Sequence, residues 1–272
     1  MSKKIIALVL ALLMATLCFA LAGCKKDKND GDSDLAYIKG KGKLIVGITD
    51  FEPMDYQEKD STEWTGFDAE LARAVAEKLG VSVEFKEISW KMKETELSSK
   101  NIDCIWNGLT WDEERAENMS LSDYYMLNRQ VLVVKADNAE TLNTLDALMS
   151  AKLTAEEGSA GEEFINENLT DATYTAADAQ IDALKEVLAG TSDACIIDYT
   201  MAYYLINKEG SDFSGLTILE GVVNTEDEYY SVAFRKGSDA TAEVNSILAA
   251  LKKDGTVNTI AAKYNLQDAI VK

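Results

Sequence analysis

Ile102-Asp103-Cys104-Ile105-Trp106-Asn107-Gly108-Leu109-Thr110-Trp111-Asp112-Glu113-Glu114-Arg115 contains the step on which the fold turns. Ile102 to Trp106 is a short, mostly apolar run, which reads as a buried strand. Asp112 stands ahead of two glutamates and is a good N-cap for a helix that opens there. A strand that leads through a short polar segment into a helix is one unit of an alternating α/β chain.

The same alternation continues on both sides. Before this stretch, Lys43–Ile48 reads as a short apolar strand, and Val81–Ile88 alternates as another. Between them Leu71, Val75 and Leu79 recur at helical spacing from Asp68 onward, and Gly80 is the stop signal. This βαβ order predicts a parallel sheet. A second round starts at Gln130–Val134. Strands near 152–155, 173–175 and 194–197 alternate with helices near 161–168, 178–188 and 200–207. Tyr230–Phe234 is a late strand, and helices near 240–253 and 257–264 close the chain. Open α/β sheets bind ligands beyond the carboxyl ends of their strands. Asp50, Asn107, Thr110, Arg115 and Asp198 fall there and are the first residues to inspect.

The N-terminus carries an export pattern. Met1-Ser2-Lys3-Lys4 precedes an uncharged apolar run, Ile5–Ala22, that ends in Leu21-Ala22-Gly23-Cys24. A basic start, an apolar middle and small residues before a cut site read as a secretory signal. The run is close to the length that crosses a bilayer, so an uncleaved anchor is the competing reading. The Leu-Ala-Gly-Cys ending resembles the lipobox of bacterial lipoproteins. That resemblance implies a signal peptide over 1–23, lipidation at Cys24 and attachment to the membrane through acyl chains alone. Residues 24–42 then read as a flexible, lipid-anchored tether, rich in Lys, Asp, Asn, Gly and Ser. Leu35, Tyr37 and Ile38 are too few to build a core.

Composition excludes whole classes of function. The 272-residue chain carries a formal charge of −20, which argues against nucleic acid as a partner. It contains no histidine, which rules out His-based triads and His-ligated zinc. Of four cysteines, Cys18 lies in the signal and Cys24 at its end; Cys104 and Cys195 sit in apolar runs. Buried free thiols or a disulfide are both open for that pair. No C-x-x-C spacing exists, so neither a metal nor a cofactor is expected.

Several ordered segments are similar to one family. Gly66-Phe67-Asp68-Ala69-Glu70-Leu71 matches its helix entry, and Ile102 to Thr110 with Glu114-Arg115 matches its strand-loop-helix. Ser122-Asp123-Tyr124-Tyr125 matches the run before its hinge. Gly158-Ser159-Ala160-Gly161 matches a small-residue loop, and Asp193 to Asp198 a ligand segment. Over roughly 43–266 the chain resembles the extracellular solute-binding proteins for polar amino acids, such as the glutamine- and histidine-binding proteins. The resemblance implies an α/β, two-lobe, periplasmic-binding-protein-like (type II) fold with two crossing hinge strands and a ligand cleft between the lobes. Lobe 1 would comprise 43–124 plus 230–272, lobe 2 would comprise 130–224, and the hinge strands would be 125–129 and 225–229.

Each residue the resemblance marks also has a plainer reading. Arg115 would fork onto the ligand α-carboxylate, or else pair with acids on its own helix. Gly108 and Thr110 would add a backbone amide and a hydroxyl to that carboxylate; a turn or cap role is the alternative for Thr110. Asn107 faces either the cleft or its own loop backbone. Asp198 would receive the ammonium, or cap the helix after it. Asp50 is a second ammonium partner, although Thr49-Asp50-Phe51-Glu52-Pro53 is two residues shorter than the family pattern. Phe51 and Trp90 would pack over the ligand side chain or belong to the core. Ser159, Ala160 and Gly161 would offer amides at a helix start; that turn lacks the Lys and spacing of a phosphate loop. Glu156 stands at a position that can shape side-chain selectivity.

The implied function is capture of a polar L-amino acid by a monomeric binding lipoprotein of an ABC importer, which delivers it to a membrane permease. The protein would sit on the extracellular face of the cytoplasmic membrane. Two alternatives use the same fold: a cyclohexadienyl-dehydratase-like enzyme, which needs carboxylates as acid and base, and a ligand-sensing module.

Overall fold

Ile38 is fully buried, and it is part of a helix that the composition had concealed. The computed structural model describes residues 33–223 and 227–272; the expected signal peptide, Cys24 and the first part of the expected tether lie outside them. Helix α1 (Asp34–Lys41) begins at Ser33, whose hydroxyl accepts the Ala36 amide, and stops at Gly42 in the left-handed conformation. Asp34 pairs with Arg235 at 2.6 Å, and the Leu35 amide donates to Asp239 at 2.8 Å. The expected tether over 24–42 is therefore corrected at its end. One apolar side chain and two acidic anchors tie residues 33–41 to the body, although the segment is polar overall.

The first sheet contains β1 (Lys43–Ile48), parallel to its neighbours β4 (Ser82–Glu87) and β5 (Cys104–Thr110). A two-stranded hairpin, β2 (Tyr56–Gln57) and β3 (Trp64–Thr65), precedes helix α2 (Phe67–Leu79). Helix α2 turns Phe67, Leu71 and Val75 inward and ends at left-handed Gly80, as its spacing predicts. Helices α3 (Lys93–Ser98) and α4 (Glu113–Asn118) flank β5, and β6 (Met119–Leu121) follows.

Two strands then link the sheets. Strand β7 (Met126–Asn128) leads into β8 (Gln130–Lys135), and the chain passes through helix α5 (Leu145–Leu148). The second sheet is built from β9 (Lys152–Glu156), helix α6 (Ala160–Asn168), β10 (Thr173–Ala177), helix α7 (Gln180–Ala189) and β11 (Ala194–Asp198). Helix α8 (Tyr199–Asn207) and β12 (Leu216–Leu219) complete it. Its order is β10-β9-β11-β8-β12. The return strand β13 (Glu228–Arg235) pairs with β7, Asn128 opposite Glu228, and then enters the first sheet between β5 and β6. Helices α9 (Ala240–Lys253) and α10 (Thr256–Lys263) finish the first lobe.

The predicted parallel sheets are in fact mixed. Strands β8 and β13 run antiparallel to β11 and β5, because each is the strand by which the chain arrives from the other lobe. The strand expected over Ile102–Trp106 instead runs Cys104–Thr110, since its pairing with β13 carries it on through Asn107–Thr110; the other strands and helices expected in both rounds are present within a residue or two. Cys104 and Cys195 are free and fully buried, one in each sheet, and burial raises both thiols above the ordinary range. Among the described residues no helix is long and apolar enough to cross a membrane.

Candidate functional site

Strands β5 of the first sheet and β9 and β11 of the second end at a common seam, and the two sides touch there. Lys93 Nζ donates to the Gly158 carbonyl at 2.9 Å, Lys91 pairs with Glu157 at 2.9 Å, and Lys208 pairs with Glu52 at 2.7 Å. Arg115 reaches Glu163 on α6 at 3.5 Å.

Arg115 is only 8% exposed. Its amide donates to Asp112 Oδ1 at 2.6 Å, which gives Asp112 the capping role read from the sequence. The guanidinium donates to the Thr110 carbonyl at 2.9 Å and pairs with Asp112 Oδ2 at 2.5 Å. It is thus held from behind by its own loop, with its second nitrogen turned toward the opposite lobe. A 210 Å³ groove lined by Lys93, Asp112, Arg115, Ser159 and Glu163 opens beside it.

Asp198 lies at the far side of the seam and is 4% exposed. It makes no capping bond to the helix it precedes. Its Oδ1 accepts from Gln130 Nε2 at 2.9 Å and from Asn128 Nδ2, and its Oδ2 accepts from Gln180 Nε2. Burial raises its carboxyl above the usual range, and these amides oppose the rise. Glu228, on the return strand, shares two of the same donors: Gln130 Nε2 at 3.0 Å and Asn128 Nδ2 at 3.5 Å. Thr110 Oγ1 donates to Glu228 at 3.3 Å. Burial first, and then the charge of Asp198, push Glu228 up to about 7.

Other residues singled out from the sequence are engaged in internal contacts. Asn107 accepts the Thr49 amide at 3.0 Å and donates to the Thr49 hydroxyl at 2.8 Å, so its amide joins β5 to the loop that leaves β1. This is the loop-backbone alternative rather than the cleft-facing one. The Gly108 amide donates to Asp68 Oδ2 at 2.8 Å and is not free for a ligand carboxylate. Phe51 is 2% exposed and packs edge-on to Tyr230, with its ring against Gly108. Trp90 is 5% exposed and joins a cluster with Leu97, Ile102 and Leu109, while Lys93 Nζ sits 4.9 Å from its ring centre. Asp50 is exposed; it lines a separate groove with Ser89, Asp178 and Lys185 at the rim of the seam.

Ser159 caps α6, its hydroxyl accepting the Glu162 amide at 3.2 Å. Gly161 is required by packing: a Cβ there would lie 2.3 Å from the Ile196 carbonyl oxygen. Helix α6 therefore starts directly against β11, which brings Ser159 and Ala160 to the seam. Glu156, at the end of β9, is 2% exposed and its Oε1 has no hydrogen-bond partner. Burial is the first cause of its raised carboxyl and the charge of Asp198 the second.

Sequence reading passed over Asn128, Gln130, Gln180 and Glu228. Asn128 and Gln130 stand two apart on an extended segment, so their amides share one face. That spacing is a legible signal, but a common one for ordinary surface strands.

Residues 44–267 match the bacterial extracellular solute-binding proteins, family 3. The chain belongs to that family. It is 30% identical to the arginine-binding extracellular protein ArtP of Bacillus subtilis, over 94% of this chain and 96% of the relative. It is also 30% identical to the L-cystine-binding protein TcyA of the same organism, over 98% and 99%. A substrate-binding protein of an ABC uptake transporter from Streptococcus pneumoniae, solved with bound histidine, superposes with a TM-score of 0.80 at 28% identity, over 89% of this chain and all of that one. Each of these relatives is a binding protein. This extracellular solute-binding protein is likewise a binder and not an enzyme, which sets the dehydratase alternative aside.

Proposed function

We propose that this solute-binding protein captures a polar L-amino acid in the seam between its lobes and delivers it to the permease of an ABC importer. Arg115 and Thr110 hold the ligand carboxylate, Asp198 receives its ammonium, and the Ser159–Gly161 turn closes over it from the second lobe. One observation carries the reading. A continuous hydrogen-bonded chain runs from Thr110, beside Arg115, through Glu228 and Gln130 to Asp198. A cationic group on one side of the seam and a carboxylate on the other, linked in this way, suit the two ends of a zwitterion. Because the two charges come from opposite sides, a bound amino acid favours the closed arrangement over the open one.

The reading extends to the membrane. Lipidation at Cys24 would hold the protein at the extracellular face of the cytoplasmic membrane, at raised effective concentration near its permease.

The test is titration calorimetry of the protein, purified in detergent, with L-arginine, L-histidine, L-glutamine and L-cystine. Arg115→Ala is expected to weaken the tightest of them by at least about 2 kcal/mol, the usual minimum for removing one partner of a buried charge pair. Unchanged affinity would overturn the site.

A further inference from the structure

Asp198 and Glu228 come from different elements, yet they accept from the same two amides, Asn128 Nδ2 and Gln130 Nε2. Two carboxylates are thus drawn together in a largely buried place. A third lies close enough to feel the charge of Asp198: Glu156, at the end of β9, whose Oε1 is buried without a partner. Among the described residues no lysine or arginine comes within ion-pair distance of any of the three; Arg115 and Lys93 act on Glu228 and Glu156 only from farther off. Buried carboxylates that repel one another are costly unless a cation joins them. An ammonium group, with three donors and a positive charge, is a chemical complement to such a pair.

The sequence suggested Asp50 as a second ammonium partner, but Asp50 is exposed at the rim beside Lys185. We propose that Glu228 takes that role: with Asp198 it forms a two-carboxylate seat for the α-ammonium of the ligand, contributed by the return strand of the hinge rather than by the β1 loop. The inference rests on the amino-acid reading above. It also gives the hinge a direct contact with the ligand, because Glu228 pairs with Asn128 across the two linking strands and bonds Thr110 at the end of β5.

The sign of one substitution separates this role from its opposite. The carboxylate of Glu228 also occupies the Thr110 hydroxyl, so a purely competitive role would make it repel the ligand carboxylate. The tightest of the four amino-acid probes is titrated at about pH 8, where Glu228 is ionised, into Glu228→Gln, Asp50→Asn and Arg115→Ala. Glu228→Gln should weaken binding at least about tenfold, and Asp50→Asn should stay within about twofold. The probe with hydrogen in place of its α-ammonium should bind the wild type weakly and lose nothing further on Glu228→Gln. Should Glu228→Gln fail to fold, Glu228→Asp, which keeps the charge but shortens its reach, should still weaken the probe more than it weakens the analogue. Equal or tighter probe binding by Glu228→Gln, or equal losses for probe and analogue, would overturn the proposal and leave the amino-acid site standing. If no probe binds, or Arg115→Ala binds as tightly as wild type, the amino-acid reading itself falls.

Discussion

Asp68 holds Gly108: its Oδ2 accepts the Gly108 amide at 2.8 Å and the Tyr125 hydroxyl at 2.7 Å, from a fully buried position at the start of α2. Gly108 is in the left-handed conformation, and a Cβ there would come within 2.5 Å of Phe51. One carboxylate therefore keeps the irregular stretch of β5 before Thr110 and Arg115 in shape. Asp68→Ala would leave two buried donors without an acceptor and is expected to lower stability by about 2–4 kcal/mol. Asp68→Asn, which keeps the shape and one acceptor, should cost less. Urea unfolding of both variants checks the order, and equal losses would show that the hydrogen bonds are not the cause.

Asp55 adds a pH dependence. It is fully buried, and neither of its oxygens has a hydrogen-bond partner among the described residues. Burial first, and then the charge of Asp68, raise its carboxyl well above the usual range; burial raises Asp68 too. Glu228, facing Asp198 and more distantly Arg115, is pushed up to about 7. In the unfolded chain such groups titrate near 4, so between about 4 and 7 the folded protein binds more protons than the unfolded one. Stability is then fully present below that window and is lost as pH rises through it. Asp239 and Asp254 are shifted downward, so their opposite effect falls below about pH 4. The thermal midpoint should be higher at about pH 5 than at about pH 8, and Glu228→Gln should remove part of the difference, on the order of 3 kcal/mol at most. A midpoint that climbs steadily from about pH 5 to about pH 8 would contradict this.

The ordered start of the body is tested at Ile38. Its side chain is fully buried in the first lobe's core. Ile38→Ala is expected to cost about 2–5 kcal/mol, as core truncations of this size do, with little effect on ligand affinity. In a solvated tether the same change would move the denaturation midpoint by nothing measurable.

Gly161 links packing to the seam. Gly161→Ala should push α6 away from β11, because its methyl group meets a backbone oxygen rather than a flexible side chain. A loss of about 1–3 kcal/mol in stability is expected, together with weaker ligand binding, since Ser159 and Ala160 move with the helix. Calorimetry paired with thermal unfolding would show whether both change; a stable variant with wild-type affinity would mean that the helix start does not contribute to the site.

Much of the molecule is legible along the chain. The helix 67–79 follows from Leu71, Val75 and Leu79 ending at Gly80, and strand 194–198 and the first half of strand 104–110 from their apolar runs, because these depend on local spacing and caps. Arg115 and Asp198 stand out for the same reason: each follows a buried strand, where an α/β sheet presents its ligands. Helix 34–41 escapes that reading because its hold on the body comes from Arg235 and Asp239, some two hundred residues away.

What sequence alone determines here is therefore the element order, the α/β class and which charged residues stand at the ends of its strands. Only the tertiary structure decides which candidates face the seam. Asn107 and Gly108 turn their polar groups to Thr49 and Asp68, Asp50 is left at the rim, and Glu228 is brought beside Asp198. Local sequence sets whether a residue lies at the end of a strand. Where its side chain finds a partner depends on which distant backbone and carboxyl groups folding places within about 3 Å of it.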